Sequence, residues 1–406
     1  MLALRTFAFI LSLVFIFSVP WEGVLEYPIL GSMSKLIGLV LTAVWVLSVV
    51  RTRRLRKPGP FQIVVYLFVL WNAASIFWSA DPYDSAFQVW RWVQLLIIVL
   101  ILWDLYTTRT ALLAGLQAFI LGEFVAVGSA LTNFTSGTVF YSHYQRFSQS
   151  EQNNPDGFGI ILALGVPVAW YLASLKSTST VSRLLKFINY AYIPAAFWGI
   201  ALSGTRTALI ATVPGMVFGF ASLTQLRLAA RMAIFLFLTL ALLIMLPRVQ
   251  NLKSFQRFGT IAGEVSGGDL NNRTNNWREG LIAFTEHPLL GVGSDQYRSV
   301  NSWNKLAHNS FISVLVELGL IGFALFGIIV MIAVIQALNQ PTKWESSFWL
   351  TVLLTWAMCA FTLTYEYRKA TWLLLSFAVA SAALTRYRVE AVSLVRRDEP
   401  DAQVIP

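Results

Sequence analysis

Residues 309–337 read NSFISVLVELGLIGFALFGIIVMIAVIQA, a run of 29 residues in which Glu317 is the one charged side chain. About 20 mostly apolar residues cross the roughly 30 Å hydrocarbon core of a bilayer as a helix. This stretch therefore predicts a membrane span. The whole chain shares the pattern: of its 406 residues 56% are hydrophobic and only 12% are charged, against about 25% charged in an ordinary soluble domain. A water-soluble globule is excluded.

Eleven further apolar runs are long enough to be candidate spans. The sequence therefore predicts an all-α integral membrane protein with about twelve transmembrane helices, near residues 6–20, 33–50, 61–78, 88–106, 111–131, 158–175, 186–203, 207–224, 232–246, 309–337, 347–365 and 370–385. The predicted organisation is nine helices in residues 1–246, a large loop in 247–307, three helices in 308–388, and a disordered tail in 389–406.

The distribution of Lys and Arg predicts the orientation. With the N-terminus inside, the cytoplasmic segments hold 17 basic residues and the short outer segments hold 6, as expected when short cytoplasmic loops retain positive charge. Both termini are predicted to be cytoplasmic and residues 247–307 to be periplasmic. The net charge of +10 does not indicate a nucleic-acid partner, because the basic residues form short clusters between apolar runs.

The long loop contains a predicted helix. In NNRTNNWREGLIAFTEHP, residues 271–288, Trp277, Leu281 and Phe284 fall on one face, and the closing proline ends the helix. Arg273 lies in the first turn, where the helix dipole disfavours a cation. An anionic ligand at this helix end would explain the arginine. The alternative is a solvated surface arginine.

LLGVGSDQY follows at 289–297, with Arg298 just beyond it. Gly291 and Gly293 allow a tight backbone turn, and on its own a GxG sequence indicates nothing more than that.

His308 directly precedes the apolar run 309–337, at the predicted outer interface. The positive end of the helix and the nearby Lys305 both disfavour imidazolium, so a neutral histidine able to accept a proton is expected. The alternative is an interfacial histidine bonded to backbone. His143, in a polar outer segment, and His287, at a helix end, have weaker claims.

Charged residues also stand at predicted membrane depth. Arg206 lies in ALSGTRTALIA, residues 201–211, between two apolar helices, where a charge costs at least roughly 2.5–3.5 kcal/mol and calls for a specific partner. The alternative is snorkelling to lipid phosphates. Arg91, Glu123 and Glu317 could form buried ion pairs or contact a substrate.

Soluble-enzyme signatures are missing from the sequence. It has no Walker loop, no HExxH motif, no strand-linked dinucleotide motif and no Cys/His metal spacing, and Cys359 is its single cysteine. The sequence therefore predicts neither a cofactor nor a metal.

Three segments resemble the O-antigen ligase and lipid-linked polysaccharide polymerase superfamily of bacterial inner-membrane proteins. They are SGTRTALIA at 203–211, NRTNNWREGLIAFTEHPLLGVGSDQYR at 272–298 and HNSFISVLVELGLIGF at 308–323, and WSADPYDSA at 78–86 fits less specifically. About twelve spans with one large late loop also match that superfamily.

The resemblance implies a membrane-embedded glycosyltransferase of the GT-C class. Arg206, Arg273 and Arg298 would hold the pyrophosphate of an undecaprenyl-linked glycan donor, and His308 would be the catalytic histidine. The expected partners are this donor, a lipid or glycan acceptor and membrane lipids, and the site would face the periplasm.

This chemistry is physically reasonable at that location. No nucleotide is supplied outside the cytoplasm, so the donor must arrive already activated on a lipid. The leaving pyrophosphate gains negative charge that arginines stabilise in the transition state, and a neutral histidine can take the acceptor proton. We therefore expect direct, inverting and metal-independent transfer.

Two alternatives remain from the sequence. A ligase attaches a finished glycan to its acceptor, whereas a polymerase extends a repeat unit with the same donor. A lipid-linked glycan transporter would instead place its critical charges near the midplane and often has two related halves.

Overall fold

The structure is a computed structural model that describes residues 2–27, 31–140, 144–150, 154–176, 179–261, 263 and 273–398. Two strands, Glu26–Tyr27 and Gly31–Ser32, pair antiparallel with Glu26 opposite Ser32. The rest of the regular structure in these residues is helical.

The helices of the described residues are labelled in chain order. They are α1 Leu2–Ser18, α2 Met33–Thr52, α3 Pro60–Ala74, α4 Pro82–Leu105, α5 Arg109–Ser136, α6 Pro155–Ser174, α7 Thr180–Ser203, α8 Arg206–Leu223, α9 Leu228–Val249, α10 Lys253–Gln256, α11 Arg273–Glu286, α12 Ser310–Leu338, α13 Lys343–Thr362 and α14 Lys369–Asp398. Short 3₁₀ helices cover Val19–Trp21, Ser75–Phe77, Arg257–Thr260 and Tyr297–Val300.

Each predicted span coincides with one long helix, namely α1–α9 and α12–α14. Within the described part of the chain, nine of these helices are long and apolar enough to cross a membrane, and the apolar part of α14, Lys369–Leu384, is shorter. The predicted all-α integral membrane fold is confirmed. The expectation of a disordered tail is wrong for residues 389–398, where α14 continues, because this stretch lacks Gly and Pro and contains good helix formers.

Helix α6 forms the centre of the bundle. Every residue from Phe158 to Ala173 is buried, and the helix packs against α5, α7, α8 and α13. Close packing depends on glycine, because a Cβ at Gly165 would lie 1.8 Å from a carboxylate oxygen of Glu123. The N-terminus of this central helix carries part of the site.

Helix α12 is broken at Gly319, whose φ is +64°. The carbonyl of Val316 accepts a hydrogen bond from the Val292 N–H at 3.0 Å, and that of Glu317 accepts from Gly293 N–H at 2.9 Å. A Cβ on Gly291 would lie 2.4 Å from the Glu317 carbonyl oxygen. The predicted plain GxG turn is therefore a loop built into a membrane helix, with positive φ at both of its glycines.

Candidate functional site

The backbone around His308 is fixed by two neighbouring elements. Asn309 caps α12, its side-chain oxygen accepting from the N–H groups of Phe311 and Ile312 at 3.0 and 3.1 Å. His308 itself has φ +49°, a left-handed conformation that is uncommon for a residue with a side chain. Its N–H donates to Thr364 Oγ1 at 2.9 Å. The segment that follows α13 therefore helps to hold this strained residue in place.

The His308 ring faces a cavity of about 100 Å³ that is also lined by Gln149, Asn154 and Tyr365. Its Nδ1 is buried and has no hydrogen-bond partner among the described residues. An unpartnered buried ring nitrogen is expensive unless something binds there. The Nδ1 atom therefore makes no bond to the backbone of the described residues.

The local electrostatics keep His308 neutral. Burial, followed by the positive charges of Arg273, Lys305 and Arg298, lowers the pKa of His308 from 6.5 to about 4, while Asp156 acts in the opposite direction. At neutral pH the imidazole is therefore uncharged and can accept a proton. This agrees with the protonation state that the sequence predicted.

Arg273 is positioned by α11, which is tied to the segment leading to His308. Trp277 Nε1 donates to the Ala307 carbonyl at 2.7 Å, and Asn276 Nδ2 donates to the Leu306 carbonyl at 2.8 Å. These bonds fix the first residue of α11 close enough to His308 to lower its pKa.

The three apolar residues predicted to share one face of α11 differ in burial. Trp277 and Phe284 are half-buried, but Leu281 is 40% exposed. The buried positions are Asn276, Gly280 and Ala283. The reason is that Gly280 lies against the ring of Tyr297, where a Cβ would come within 2.5 Å of the hydroxyl oxygen.

An ion pair between Arg146 and Asp156 joins three helix ends. The two side chains are 2.5 Å apart, Arg146 Nε donates to the Ser203 carbonyl at 2.6 Å, and Thr205 Oγ1 donates to the Pro155 carbonyl at 2.9 Å. The start of α6, the end of α7 and the start of α8 are thereby fixed. Arg206, the first residue of α8, is placed directly beside this pair.

Arg206 lies among other cations. Its Nη1 donates a hydrogen bond to Thr260 Oγ1 at 2.9 Å. Arg257 begins the 3₁₀ helix that ends at Thr260, and its guanidinium carbon lies 4.6 Å from the centroid of the Tyr144 ring. Burial, then the charges of Arg146 and Arg206, lower the pKa of Arg257, against an opposing effect of Asp156. Asp156 also interacts electrostatically with Arg273.

We use the name cationic cluster for the three arginines that interact with Asp156, together with the arginine that interacts with one of them: Arg146, Arg257 and Arg273, and Arg206 beside Arg257. Besides burial, the charges of Arg146 and Arg206 lower the pKa of Arg257 because like charges repel each other, and a bound anion would reduce this repulsion. The cluster is therefore suited to bind a phosphate or pyrophosphate.

Arg298 is less closely associated with this cluster. It is exposed in the 3₁₀ helix Tyr297–Val300, and its effect on His308 is the weakest of the three cations. It also acts on Asp295 together with Arg91. The structure therefore brings Arg273 and His308 close to Asp156, places Arg206 close to Arg257 and leaves Arg298 at the edge.

Part of the chain is similar to known proteins. Residues 191–327 match the family model described as O-antigen ligase, a segment that contains Arg206, Arg273, Arg298 and His308. The predicted family resemblance is confirmed. The exopolysaccharide production protein ExoQ of Rhizobium meliloti (strain 1021) is 24% identical over 307 residues, covering 68% of this chain. The chain spans 65% of the length of that relative.

Parts of the site lie outside the O-antigen ligase segment. Arg146 and Asp156 precede it and Thr364 follows it. Only Asp156 among these had a local signal in the sequence. Asn154–Pro155–Asp156 is a typical helix start, with an Asn cap, Pro at the first position and an acidic residue in the first turn. Arg257, inside the matched segment, had no such signal.

The remaining predicted candidates have other environments. Glu317 accepts a hydrogen bond from the Asp295 N–H at 3.0 Å, and Arg91 bonds Gln88 at 2.9 Å. No salt bridge joins these residues or Glu123 to one another in the described part of the chain. His287 is exposed at the end of α11, as a helix-end residue, and His143 lies outside the described residues.

Proposed function

We propose that the protein is a membrane glycosyltransferase that moves a glycan from an undecaprenyl-pyrophosphate donor to an acceptor hydroxyl on the periplasmic side. The observation that carries the proposal is a half-buried, neutral His308 whose buried Nδ1 has no partner among the described residues, in the electrostatic field of Arg273 and Arg298. The family match supports a ligase or polymerase of polysaccharide pathways in general.

The cationic cluster holds the leaving group in this proposal. As the glycosidic bond breaks, its electron pair stays on the pyrophosphate, which gains one negative charge. Arg206, Arg257 and Arg273 then interact more strongly with the transition state than with the ground state. Arginine is well suited to this role because its planar fork makes bidentate contacts with phosphate.

His308 is the base in this proposal. The acceptor hydroxyl oxygen forms the new bond to the anomeric carbon while its proton moves to Nδ1, the ring nitrogen that lacks a partner. A single displacement of this kind inverts the anomeric configuration. Arg298 holds the pyrophosphate from the edge of the cluster.

The proposed transfer uses arginines where other transferases use a divalent cation. Transfer should therefore continue in the presence of a chelator. Loss of activity in chelator, with recovery on adding Mg²⁺ or Mn²⁺, would contradict this part of the proposal.

A ligase reaction and a polymerase reaction share this donor chemistry. The similarity to a protein of exopolysaccharide production favours the polymerase of an exopolysaccharide pathway as the second candidate. Expression in strains that lack each activity, followed by sizing of the glycans on gels, distinguishes the two. A polymerase restores long chains, and a ligase restores their attachment.

The proposal requires α11 to be periplasmic, with the chain in a bacterial inner membrane and both termini in the cytoplasm. A cysteine replacing Thr285 on α11 should react with an impermeant maleimide applied from the periplasm, and one replacing Val181 at the start of α7 should not. Native Cys359 is buried and gives little background. The reversed labelling pattern would invert the assigned orientation.

The direct test is transfer from a purified lipid-linked donor by the purified protein in vesicles. Wild type should produce glycan joined to acceptor. If transport of the lipid-linked glycan across the vesicle membrane occurs without any transfer, the protein is a transporter and not a transferase.

A further inference from the structure

A second cavity, of about 320 Å³, lies beside the His308 cavity. We call it the lateral cavity. Lys35 lines it from the start of α2, Arg91 and Gln94 line it from α4, and Arg368 and Lys369 line it from the start of α14. Lys35 and Arg91 are both exposed.

The two cavities have a common wall. Glu22, Tyr367, Arg368 and Lys369 line both of them, whereas Arg206, Arg257 and Arg273 line neither. A ligand in the lateral cavity therefore reaches toward His308 through a different set of residues from the cationic cluster.

The lateral cavity carries positive charge that carboxylates do not fully neutralise. Lys369 is bonded to Glu22 and to Ser34, and Glu26 is a second, exposed acid at the rim. The Nε of Arg368 is buried and has no hydrogen-bond partner among the described residues.

Arg91 is unusual in its position along α4. It lies nine residues after Pro82, or about 13 Å into the helix. Its described contacts are the Gln88 side chain and the ring of Phe87, 4.7 Å away, and no carboxylate of the described residues lies within 4 Å of it. An exposed arginine with no carboxylate this close can pair with an anionic ligand.

We propose that the lateral cavity binds the phosphate or pyrophosphate of the acceptor, so that the acceptor is itself an anionic, lipid-linked molecule. This inference rests on the proposed function, because it names the second substrate of the same reaction. Lys35 and Arg91 contact the phosphate at the membrane surface, and Arg368 guides the acceptor hydroxyl toward His308 through the common wall.

Separate sites solve an electrostatic problem for two anionic substrates. Two pyrophosphates held by the same arginines would repel each other strongly in a partly buried site. With one group in the cationic cluster and the other in the lateral cavity, each anion has its own cations. The reacting ends of the two glycans can then meet at His308.

The test is a binding titration that does not depend on transfer. Wild-type protein in phosphatidylcholine nanodiscs is titrated with farnesyl pyrophosphate, and two binding events per chain are expected. The variant Lys35→Gln/Arg91→Gln should lose one event, with at least a tenfold weaker affinity. The variant Arg206→Gln/Arg273→Gln should lose the other. Arg248→Gln, at the end of α9 outside both cavities, is the matched control and should keep both.

A single event in wild type would overturn the inference, as would a second event that Lys35→Gln/Arg91→Gln leaves unchanged. Nanodiscs containing phosphatidylglycerol separate an ordinary lipid-headgroup site from a substrate site. If this lipid abolishes the second event, the cavity binds bulk lipid and the inference is wrong. Absence of glycan transfer by wild type, in the separate transfer assay, would instead contradict the proposed function.

Discussion

Two charged regions lie at opposite ends of the helical bundle and differ in how their arginines are balanced. Where α4 ends and α5 begins, the buried Asp104 accepts hydrogen bonds from Arg5 Nη2 at 2.9 Å, Trp45 Nε1 at 3.0 Å and the Arg56 N–H at 2.9 Å. Arg109 pairs with Glu345 at 2.7 Å in the same region. Arg5 and Arg109 each have a carboxylate partner here.

In the cationic cluster at the other end, Asp156 pairs with Arg146 and also interacts with Arg257 and Arg273. Burial, together with the charges of Arg146 and Arg206, lowers the pKa of Arg257, and burial, together with the charge of Arg273, lowers the pKa of His308. Arginines that disfavour each other's charge favour a bound anion. The comparison teaches that balanced charges join helices, whereas concentrated cations indicate a ligand site.

The largest effect on glycan transfer is expected when His308 is replaced with alanine. Transfer should fall by about 100- to 10,000-fold, because a positioned general base contributes that much to rate. Glycan transfer is measured at matched protein levels in membranes. His287→Ala, at the exposed end of α11, is the control and should retain wild-type rates. Near-wild-type transfer by His308→Ala would remove the proposed base.

Arginine-to-lysine changes in the cluster should have the next largest effect. Arg206→Lys and Arg273→Lys each lose the planar fork while keeping the charge, and a hydrogen bond to a charged group is worth about 1.5–3 kcal/mol. Transfer should slow by about 10- to 200-fold. Arg109→Lys at the opposite end should transfer normally. Equal losses of transfer in Arg109→Lys and in the cluster variants would contradict the assignment of the anion site to the cationic cluster.

The pH dependence of transfer should follow the lowered pKa of His308. Because the base must be neutral, kcat/KM should stay flat above about pH 5 and fall as the pH drops through about 4. Arg273→Gln removes a cation that disfavours imidazolium, so the pKa rises toward 6.5 and the acidic decline moves to higher pH. Arg248→Gln should leave the profile in place. If the pH profile of Arg273→Gln overlays that of wild type, Arg273 does not affect the pKa of His308.

The smallest effect on transfer is expected where charges are balanced. Asp104→Asn weakens the bonds to Arg5 and the Arg56 N–H, and should destabilise the fold by about 1–3 kcal/mol. The rate per folded molecule should be unchanged. Thermal unfolding in detergent and normalised transfer are measured together. A drop in transfer without a drop in stability would mean that this end also acts in the reaction.

The helices were predictable because their signal is local. The length and apolarity of each run depend only on the thickness of a bilayer, so twelve predicted spans coincide with twelve helices in the described residues. Arg273 was predictable for a related reason, since its place in a first turn follows from the helix pattern alone. His308 likewise follows from its position directly before an apolar run.

The parts of the site that could not be predicted form where segments distant in sequence come together. Nothing near Arg257 in sequence shows that it will meet Arg146, and Thr364 reaches the His308 backbone across 56 positions. The side of α11 that is buried was not predictable for the same reason. Gly280 admits the Tyr297 ring, a contact that the periodicity of the helix does not contain.

The interruption of α12 has a consequence for biogenesis. If this segment entered the bilayer alone, the carbonyls of Val316, Glu317 and Leu318 would lack the partners that Val292, Gly293 and Trp71 provide. Each unsatisfied group in hydrocarbon costs several kcal/mol. Stable integration of α12 therefore requires that residues 288–293 and α3 are already packed against it. We expect the last three membrane helices to assemble after the helices that precede them in the chain.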